Sequence, residues 1–381
     1  MITETDQLYM KSALLLAARG LGSVEPNPAV GCLLVKAGQV IGKGCHRRFG
    51  EAHAEIAALN DCQSLGVTPD GACCYVTLEP CCHQGKTGPC TQALIEAGVT
   101  RVVIATRDPS SHCNGQGMAQ LQQAGIDVEV GVMSDEARLL NAPFFKQALT
   151  GRPWVLLKWA QTLDGKLAHT QPEEQRWVSN KRSRSDAHKL RRQSQAILVG
   201  IGTVLADNPT LLPRPSREKT PIRVVLDSHL RIPLKSKLMR GTHKAPVWII
   251  ALQTASEESP KRVQSITQKD AIIHYASPDQ EISLLHTALN VLSETGVQQL
   301  LVEGGPQVIA SFLAEGLADE ICVYQAPLIW GQSGQAGIAE PLERLTQGLE
   351  LCHVTHKGFD QDIRIRGMIK TSIDPILQAD I

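Results

Sequence analysis

The sequence is poor in aromatic residues and carries no net charge. Phe, Trp and Tyr make up 4% of its 381 residues, so aliphatic side chains must fill most of any hydrophobic core. Lys plus Arg and Asp plus Glu are equal at 38 each, which leaves no overall field to attract nucleic acid or an anionic membrane. Any anionic ligand must therefore be held by local groups. A hydrophobic fraction of 43% and a charged fraction of 20% are typical of folded proteins and exclude a disordered chain.

Long hydrophobic runs are also absent. No apolar run approaches 18 residues, and acidic residues precede the short apolar stretch near the N-terminus, the reverse of a signal peptide. We therefore expect a cytoplasmic protein with no membrane partner. In that compartment the 11 cysteines are expected to stay reduced, and nine of them lie at or before Cys113.

A chain of this length is expected to form two domains. Apolar runs such as AVGCLLV and CCYVTL alternate with helical segments, and the same alternation begins again at PWVLLKWA. This order predicts an α/β fold with a mainly parallel sheet. We place the two domains at residues 1–146 and 151–375.

One short region combines the residue types of a zinc site. The tripeptide HAE at 53–55 opens a predicted helix, and two Pro-Cys steps end at Cys81 and Cys90. One imidazole and two thiolates suit zinc and leave a fourth position for water, whose pKa zinc lowers to about 7. Glu55 then lies where it can carry protons to a leaving amine. Because residues two apart do not share a helix face, His53 and Glu55 must lie in an irregular first turn.

Two other interpretations stay open at this point. A structural zinc site needs a fourth protein ligand, and it would make this a binding or scaffold protein. Residues that offer such a ligand are Cys73, Cys82, His46 and His83. Adjacent cysteines point apart on extended backbone, so each Cys-Cys pair is expected to give at most one ligand. The second alternative is a nucleic-acid base deaminase fused to an unrelated domain.

The motifs HAE, TLEPCCHQGKTGPC, PNPAVG and GKGCHRRFGEAHAE resemble the deaminase domain of the bifunctional riboflavin-biosynthesis deaminase and reductase family. Deaminases of free cytidine or of bases in nucleic acid generally have two residues between the two cysteines, whereas eight separate Cys81 from Cys90, as in the riboflavin family. The resemblance implies a cytidine-deaminase-like three-layer domain, zinc bound by His53, Cys81 and Cys90, and Glu55 as the proton shuttle.

The implied reaction replaces the exocyclic amine of 2,5-diamino-6-(5-phosphoribosylamino)pyrimidin-4(3H)-one with oxygen and releases ammonia. Asn27 and His46 match motif positions that line the pyrimidine pocket, although a turn-capping Asn and a surface His are equally good interpretations. The sequence departs from the family at Cys82, where Ser is common, and in the Asp108 to Gly117 loop, which lacks the usual DPNP start. The loop departure affects expected substrate contacts and leaves the metal ligands unchanged.

The C-terminal part has no zinc-like cluster and needs a separate account. No GxGxxG motif follows a strand, so a Rossmann dinucleotide domain is not supported. Polar residues lie instead at the ends of predicted strands. The turn EGGP at 303–306 precedes a helix whose free amides suit a phosphate group.

In this order, KWAQTLDGKLA, LVGIGTVLADNPTLLPR and EGGP resemble the reductase half of the same family. The resemblance implies a dihydrofolate-reductase-like α/β fold and NADPH, which reduces the ribosyl group to ribityl. Implied cofactor contacts are Ala160, Trp177, Thr203, Asp207, Ser228, Gly305, Pro306, Gln307, Val308, Ile309, Ala310 and Ser311. Implied substrate contacts are Arg191, Leu211, Arg214 and Glu303.

Five residues of this half carry further expectations. The two arginines among the substrate contacts suit its phosphate. Lys158 and Asp207 are the candidates for polar catalytic help, and Gln175 departs from the family, where Ser is usual. We therefore expect a two-domain homo-oligomeric enzyme that binds zinc and NADPH, acts on small pyrimidine ribosyl phosphates and binds no nucleic acid.

Overall fold

The computed structural model describes residues 2–84, 88–110, 113–171, 173, 175–216, 219–276, 283–335, 337–338, 342, 345 and 347–379. Residues 85–87 of the TLEPCCHQGKTGPC motif and residues 111–112 of the 108–117 loop lie outside these ranges. The chain divides into two compact units, one reaching to Gly151 together with the residues from Pro375 onward, the other Arg152–Asp374. The domains at 1–146 and 151–375 stay a prediction, because compactness alone does not show independent folding.

The first unit alternates helices and short strands. Its elements are α1 (Glu4–Ala17), β1 (Gly31–Lys36), β2 (Gln39–Cys45), α2 (Ala54–Ser64), β3 (Cys73–Val76), α3 (Cys90–Glu96), β4 (Arg101–Ile104), α4 (Gln116–Gln123), β5 (Asp127–Val130), α5 (Ser134–Leu140) and α6 (Ala142–Thr150).

The sheet of this unit has the strand order β2-β1-β3-β4-β5. The sheet is mixed: β1 is antiparallel to both β2 and β3, whereas β3, β4 and β5 pair in parallel. Four of its five strands therefore run in one direction, as the prediction of a mainly parallel sheet requires. The two-residue turn Ala37-Gly38, with φ of 47° and 74°, forces the hairpin between β1 and β2.

Helices cover both faces of this sheet, which confirms the three-layer arrangement. Neighbouring residues of β1 point to opposite faces, so Leu34 packs with Ala58 of α2 and Leu121 of α4, while Leu33 packs with Met10 of α1. Both cores consist mainly of aliphatic side chains, as the low aromatic content predicts.

The second unit is built on a larger sheet. Its elements are β6 (Trp154–Gln161), α7 (Lys181–Gln193), β7 (Ala196–Gly200), α8 (Ile201–Asp207), β8 (Ile222–Leu226), β9 (Val247–Leu252), α9 (Gln253–Glu258), α10 (Pro260–Thr267), β10 (Ile272–Ala276), α11 (Leu284–Glu294), β11 (Gln299–Val302), α12 (Pro306–Ala314), β12 (Glu320–Gln325), β13 (Leu351–Phe359) and β14 (Asp362–Ile369). The last helix, α13 (Lys370–Leu377), begins in this unit, and its residues from Pro375 onward belong to the first unit.

These strands lie in the order β10-β9-β8-β7-β11-β6-β12-β14-β13. The strands from β10 to β12 are parallel, whereas β14 and β13 add an antiparallel edge. A parallel sheet is covered on both faces, so its strands are apolar throughout, and all five residues of β7 are buried. Among the described residues, none of the helices combines the length and the apolar character needed to cross a membrane.

Asp6 is a buried charge that ties α1 to the sheet of the first unit. It forms a capping box with Thr3, whose N–H donates to Asp6 Oδ2 over 2.9 Å while the Asp6 N–H donates to Thr3 Oγ1 over 3.1 Å. Asp6 Oδ1 also accepts hydrogen bonds of 2.8 Å from Tyr75 and Arg101. The bonds from Arg101 outweigh burial and hold the pKa of Asp6 well below its usual range.

We expect Asp6→Asn to destabilise the first unit by about 2 kcal/mol at pH 7, because Arg101 and Tyr75 lose a charged acceptor and Arg101 keeps only the exposed Asp127, 3.5 Å away, as a counter-ion. The pKa of Asp6 in the folded state lies below its value of about 3.9 in the unfolded state. The stabilisation is therefore complete well above a pH of about 3.9, and it is lost as the pH falls from there through the folded-state pKa. The difference between variant and wild type should therefore shrink on acidification. Calorimetric unfolding measured between pH 7 and pH 3 checks this expectation.

The transition of the first unit can be assigned because all five tryptophans lie between residues 154 and 330, in the second unit. A calorimetric transition that Trp fluorescence does not detect therefore belongs to the first unit. Glu4→Gln is the matched control, since Glu4 lies in the same helical turn but is exposed. An equal loss of stability in Glu4→Gln would contradict the role of Asp6.

Candidate functional site

His53, Cys81 and Cys90 meet in the first unit. His53 Nδ1 lies 3.5 Å from Cys81 Sγ and 3.4 Å from Cys90 Sγ, and the three donor atoms all lie within 4.8 Å of one another. A tetrahedral zinc ion with Zn–N of 2.0–2.1 Å and Zn–S of 2.3 Å separates nitrogen from sulfur by about 3.6 Å. The three side chains therefore match the chemistry and the spacing of a zinc site.

The ends of two helices and the segment after β3 position these three side chains. His53 is the N-cap of α2, with extended backbone at ψ 164°, and Glu55 is the second residue of the helix. Cys90 is the first residue of α3. Because His53 precedes the helix, its side chain and that of Glu55 are not bound by helical spacing and can face the same site.

Two glycines of β2 bring α2 close to the sheet. A Cβ on Gly44 would lie 2.1 Å from the carbonyl oxygen of Ala54, and a Cβ on Gly42 would lie 2.5 Å from that of Ala58. Any larger residue would push the helix outward. The glycines therefore set the position of the N-terminal turn that carries Glu55.

Glu55 is a buried carboxyl beside the cluster, with 4% of its surface exposed. Burial, and then the charge of the Cys81 thiolate, raise the pKa of Glu55 to about 7. The pKa of Cys81 is lowered by hydrogen bonds from Cys90 and His53. A carboxyl that gains and loses a proton near neutral pH is suited to general acid and base chemistry.

His46 lies beside His53, with ring centroids 5.3 Å apart. Its exposed fraction is 2%, so the interpretation as a surface histidine is wrong. Nδ1 is 3.0 Å from the Ala52 carbonyl oxygen and must donate to it, which leaves Nε2 to accept from the Asn27 amide over 3.2 Å. Both nitrogens of His46 are thus engaged, and Asn27 and His46 form a fixed polar pair next to the cluster.

A fourth protein ligand is not part of this group within the described ranges. Cys73 lies near Arg101, whose Nη1 is 3.9 Å from its sulfur, in the surroundings of Asp6. Cys74 packs in the core, where its sulfur lies 3.5 Å from that of Cys32. The geometry therefore favours three protein ligands and an open fourth position over a closed structural site.

Glu79 is a buried residue that sequence analysis does not identify. Its Oε1 accepts from the N–H groups of Gly117 and Met118 at 2.9 and 3.3 Å, and Oε2 accepts from those of Asp108 and Gly115 at 3.2 and 3.0 Å. A Cβ on Gly117 would lie 2.2 Å from the Pro80 carbonyl oxygen, so glycine is needed there. Glu79 thus anchors the described part of the 108–117 loop against the segment that leads to Cys81. The only sequence signal is an acidic residue beside the Pro-Cys step.

In the second unit the predicted residues gather at the carboxyl ends of β8, β7, β11 and β6, which are neighbours in the sheet. Ligands of parallel α/β sheets bind at this edge. Predicted contacts placed at this edge or on the helices that follow it are Ala160, Thr203, Asp207, Ser228, Gly305, Pro306, Gln307, Val308, Ile309, Ala310 and Ser311. Ile309 and Ala310 are buried, so a cofactor can meet them only through their backbone.

The turn after β11 is built from two glycines with positive φ, 126° at Gly304 and 66° at Gly305. The Gly200 N–H donates to the Gly304 carbonyl over 3.2 Å, which joins the ends of β7 and β11. Thr203 Oγ1 lies 3.5 Å from the place that a Cβ of Gly305 would occupy. Gly305 is the N-cap of α12 and Pro306 its first residue, so the free amides of the helix face this edge.

Arg191 and Glu303 form a bidentate ion pair at the same edge. Arg191 Nε and Nη2 donate to the two Glu303 carboxylate oxygens over 2.8 and 2.5 Å, and Nη1 donates to the Leu212 carbonyl over 3.3 Å. Burial alone would raise the pKa of Glu303, but the charges of Arg191 and Lys158 outweigh it and lower the pKa to about 2. Arg191 is thus already engaged, whereas Arg214 is exposed and has no ion pair among the described residues.

Two further predicted contacts have distinct surroundings. The Leu211 side chain is buried in the core with φ 52°, so the residue can meet a substrate only through its backbone. The Trp177 ring is 55% exposed, and the guanidinium groups of Arg184 and Arg176 lie 4.7 and 5.3 Å from its centroid. An exposed ring held by cations offers a stacking surface.

His188 is a second residue that sequence analysis does not identify. It lies one turn before Arg191 on α7, and burial together with the charges of Arg191, Arg214 and Lys158 lowers its pKa. Its Nδ1 is buried without a hydrogen-bond partner in the described ranges. Because His188 lies three residues before Arg191, the sequence puts both on one face of the helix. That spacing is not distinctive in a helix with so many charged residues.

Comparison with known proteins assigns a class to each half. Residues 3–106 match the family described as the cytidine and deoxycytidylate deaminase zinc-binding region, and residues 153–364 match the RibD C-terminal domain. The fold and the two sites thus define a deaminase unit joined to a reductase unit in one chain.

The individual relatives match this chain over nearly all of their own length. Riboflavin biosynthesis protein RibD of Aquifex aeolicus is 42% identical, covering 91% of this chain and 94% of its own, and that of Escherichia coli is 38% identical, covering 95% and 99%. The structure of Acinetobacter baumannii RibD is 36% identical with a TM-score of 0.82, covering 96% of this chain and 99% of its own. The chain belongs to the RibD family of bifunctional riboflavin-biosynthesis enzymes, which combine a deaminase and a reductase.

We expect Glu79→Gln to destabilise the first unit by about 2 kcal/mol, because the new amide NH₂ must face two of the four backbone N–H groups that the carboxylate now accepts. The calorimetric transition of the first unit measures the loss. Hydrogen exchange of residues 113–118 should become faster in the same variant.

The control is Glu96→Gln on α3, an exposed residue of the same unit. Unchanged exchange at 113–118 in Glu79→Gln would show that the carboxylate does not anchor this loop.

Proposed function

We propose that the first unit removes the exocyclic amine of 2,5-diamino-6-(5-phosphoribosylamino)pyrimidin-4(3H)-one and that the second unit reduces the ribosyl group of the product to ribityl. The observation that carries this proposal is the cluster of His53, Cys81 and Cys90 beside buried Glu55, in a chain of the RibD family. A relative from Thermotoga maritima, 33% identical with a TM-score of 0.80, is named as a deaminase of a diaminohydroxyphosphoribosylaminopyrimidine and as a 5-amino-6-(5-phosphoribosylamino)uracil reductase.

In this proposal His53, Cys81 and Cys90 hold zinc. When bound, zinc acidifies a water molecule and so supplies the nucleophile at neutral pH. Glu55 would accept a proton from the attacking water as the water oxygen bonds to the ring carbon, and would deliver a proton to the exocyclic nitrogen, so that the carbon–nitrogen bond breaks and ammonia leaves. The burial of Glu55 keeps bulk water away from this transfer.

Asn27 and His46 are proposed to contact the pyrimidine ring. Their mutual hydrogen bond fixes the His46 tautomer, and the edge contact between the His46 and His53 rings supports a role for the pair beside the proposed zinc ligand. A few polar side chains held in fixed positions can orient a planar heterocycle in its pocket.

The second unit is proposed to bind NADPH at the carboxyl edge of its sheet. Thr203, Ser228 and the turn at Gly305 offer hydroxyl and amide donors to the cofactor phosphates, and the exposed ring of Trp177 offers a stacking surface. Hydride comes from the nicotinamide, and the protein supplies orientation and charge.

The substrate of the second unit is proposed to lie beside Glu303, Lys158 and Arg214. Because Glu303 and Leu212 already engage Arg191, exposed Arg214 is the better candidate for the substrate phosphate, and Arg191 holds Glu303 in place. Lys158 is the candidate for polar help in the hydride step, and Asp207, whose pKa is raised by burial, is the other. We expect the enzyme to act in the cytoplasm, on small molecules and as a homo-oligomer.

We expect Glu55→Gln to retain zinc and to lower the rate of ammonia release by about 10³-fold, because the amide cannot carry the proton. Metal analysis of the purified protein and an ammonia assay with the diaminopyrimidinone ribosyl phosphate measure the two effects. NADPH oxidation with supplied deaminated substrate should not change.

The matched control is Glu51→Gln, an exposed residue four positions away. Full ammonia release by Glu55→Gln would favour a structural zinc site, and release from an oligonucleotide but not from the free nucleotide would favour a nucleic-acid deaminase.

We expect Glu303→Gln to lower kcat/KM of the reductase by about 10- to 100-fold, since Arg191 loses a charged bidentate partner. Ammonia release should stay at the wild-type rate. Following NADPH and ammonia separately in one reaction mixture measures both activities, and Glu294→Gln at the exposed end of α11 is the control. Equal losses of both activities would argue against separate sites.

A further inference from the structure

Arg223 is a cation in the interior of the second unit. It is the second residue of β8, its exposed fraction is 0%, and it pairs in register with Val247 of β9 and Ile197 of β7. A buried guanidinium normally has a carboxylate partner, because the cost of removing the charge from water is several kcal/mol. Burial lowers the pKa of Arg223 to about 10.

The partners of Arg223 are neutral. Its Nη2 donates to the carbonyl oxygens of Gly241, over 2.7 Å, and Ala245, and its Nη1 donates to that of Thr210 over 3.3 Å. Nε is buried and has no acceptor, and no carboxylate forms an ion pair with Arg223 within the described ranges. Of the five N–H groups of a guanidinium, one on Nη1 and the one on Nε therefore lack a partner.

Arg223 lines a small cavity that other cations surround. The cavity has a volume of about 190 Å³ and is lined by Thr210, Leu212, Arg223, Lys237, Arg240, Gly241 and Lys244. Lys237, Arg240 and Lys244 are exposed at its mouth, and none of the three forms an ion pair within the described part of the chain. A Cβ on Gly241 would lie 3.3 Å from Arg223 Nη1, so the glycine leaves room for the guanidinium.

This cavity is separate from the proposed reductase site. Arg223 lies near the amino end of β8, whereas Ser228, Glu303 and Gly305 follow the carboxyl ends of β8 and β11. The segment from Thr210 to Leu212 links the two places, because Arg223 holds the Thr210 carbonyl and Arg191 holds that of Leu212.

We propose that the cavity lined by Arg223, Lys237, Arg240 and Lys244 binds a phosphate group. Three exposed cationic side chains at the mouth, a fourth buried beneath them, and no acidic lining residue define the charge of the ligand. A planar fork of guanidinium donors suits phosphate oxygens. The volume is below the 300–1,000 Å³ typical of sites for larger ligands, which favours free phosphate or a small phosphate monoester over a nucleotide.

The test uses the full chain and the double variant Arg240→Gln/Lys244→Gln, which changes exposed side chains and leaves buried Arg223 in place. We expect inorganic phosphate to raise the unfolding temperature of the second unit, followed by Trp fluorescence, and to bind the double variant at least tenfold more weakly at constant ionic strength. Titration calorimetry gives the Kd values.

Two controls separate this cavity from other causes. Lys235→Gln/Lys261→Gln removes the same charge from exposed positions of the same unit and should bind phosphate like the wild type. Arg214→Gln should also retain the effect, because Arg214 belongs to the proposed reductase site. The proposal is overturned if the double variant keeps the wild-type Kd, if Arg214→Gln alone abolishes binding, or if chloride at equal ionic strength gives the same stabilisation.

Glycerol 3-phosphate provides the second arm of the titration. Tighter binding of inorganic phosphate than of glycerol 3-phosphate supports free phosphate as the ligand, and the reverse order supports a phosphate monoester. Failure of both to bind overturns the proposal, and neither result depends on the deaminase or reductase activity.

Discussion

Both sites depend on the cost of removing an ionised side chain from water, which only a partner charge or several hydrogen bonds can offset. Glu303 is buried against the guanidinium of Arg191, and Asp6 against that of Arg101. Glu79 forms no ion pair among the described residues and accepts hydrogen bonds from four backbone N–H groups instead. Glu303 lies at the proposed reductase site and Glu79 anchors backbone beside the segment that leads to Cys81, whereas Asp6 fixes α1 against the sheet of the first unit.

Two buried ionisable groups do not follow this pattern. Among the described residues, no Lys or Arg pairs with Glu55 in the way that Arg191 pairs with Glu303. Burial raises the pKa of Glu55 to about 7. Within the described part of the chain, Arg223 has carbonyl partners alone and its Nε has no acceptor. A buried ionisable group without a charged partner indicates a place where a ligand binds or a proton is transferred. Glu55 and Arg223 are therefore the buried groups that point most directly to function.

Much of the fold follows from local patterns. Fully apolar runs such as AILVG predict buried parallel strands, and the Gly38 turn predicts the hairpin of β1 and β2. The antiparallel pairing of β1 with β3 has no such local signal, because strand order depends on how the helices pack. The edge strand β13 also lacks a sequence signal, since most of its residues are exposed and it does not show the apolar alternation that identifies a strand.

The sequence by itself determined the kinds of ligand atoms and the class of chemistry: an imidazole, two thiols and a carboxyl in short motifs, and polar residues at strand ends. Only the tertiary structure decided that His53 meets Cys81 and Cys90 across 28 and 37 residues of chain, because spacing along the chain does not give distance in space. It also decided the partners of Glu79, His188 and Arg223. The physical reason is that burial, which gives a charge its importance, is a property of the packed fold and not of a local segment.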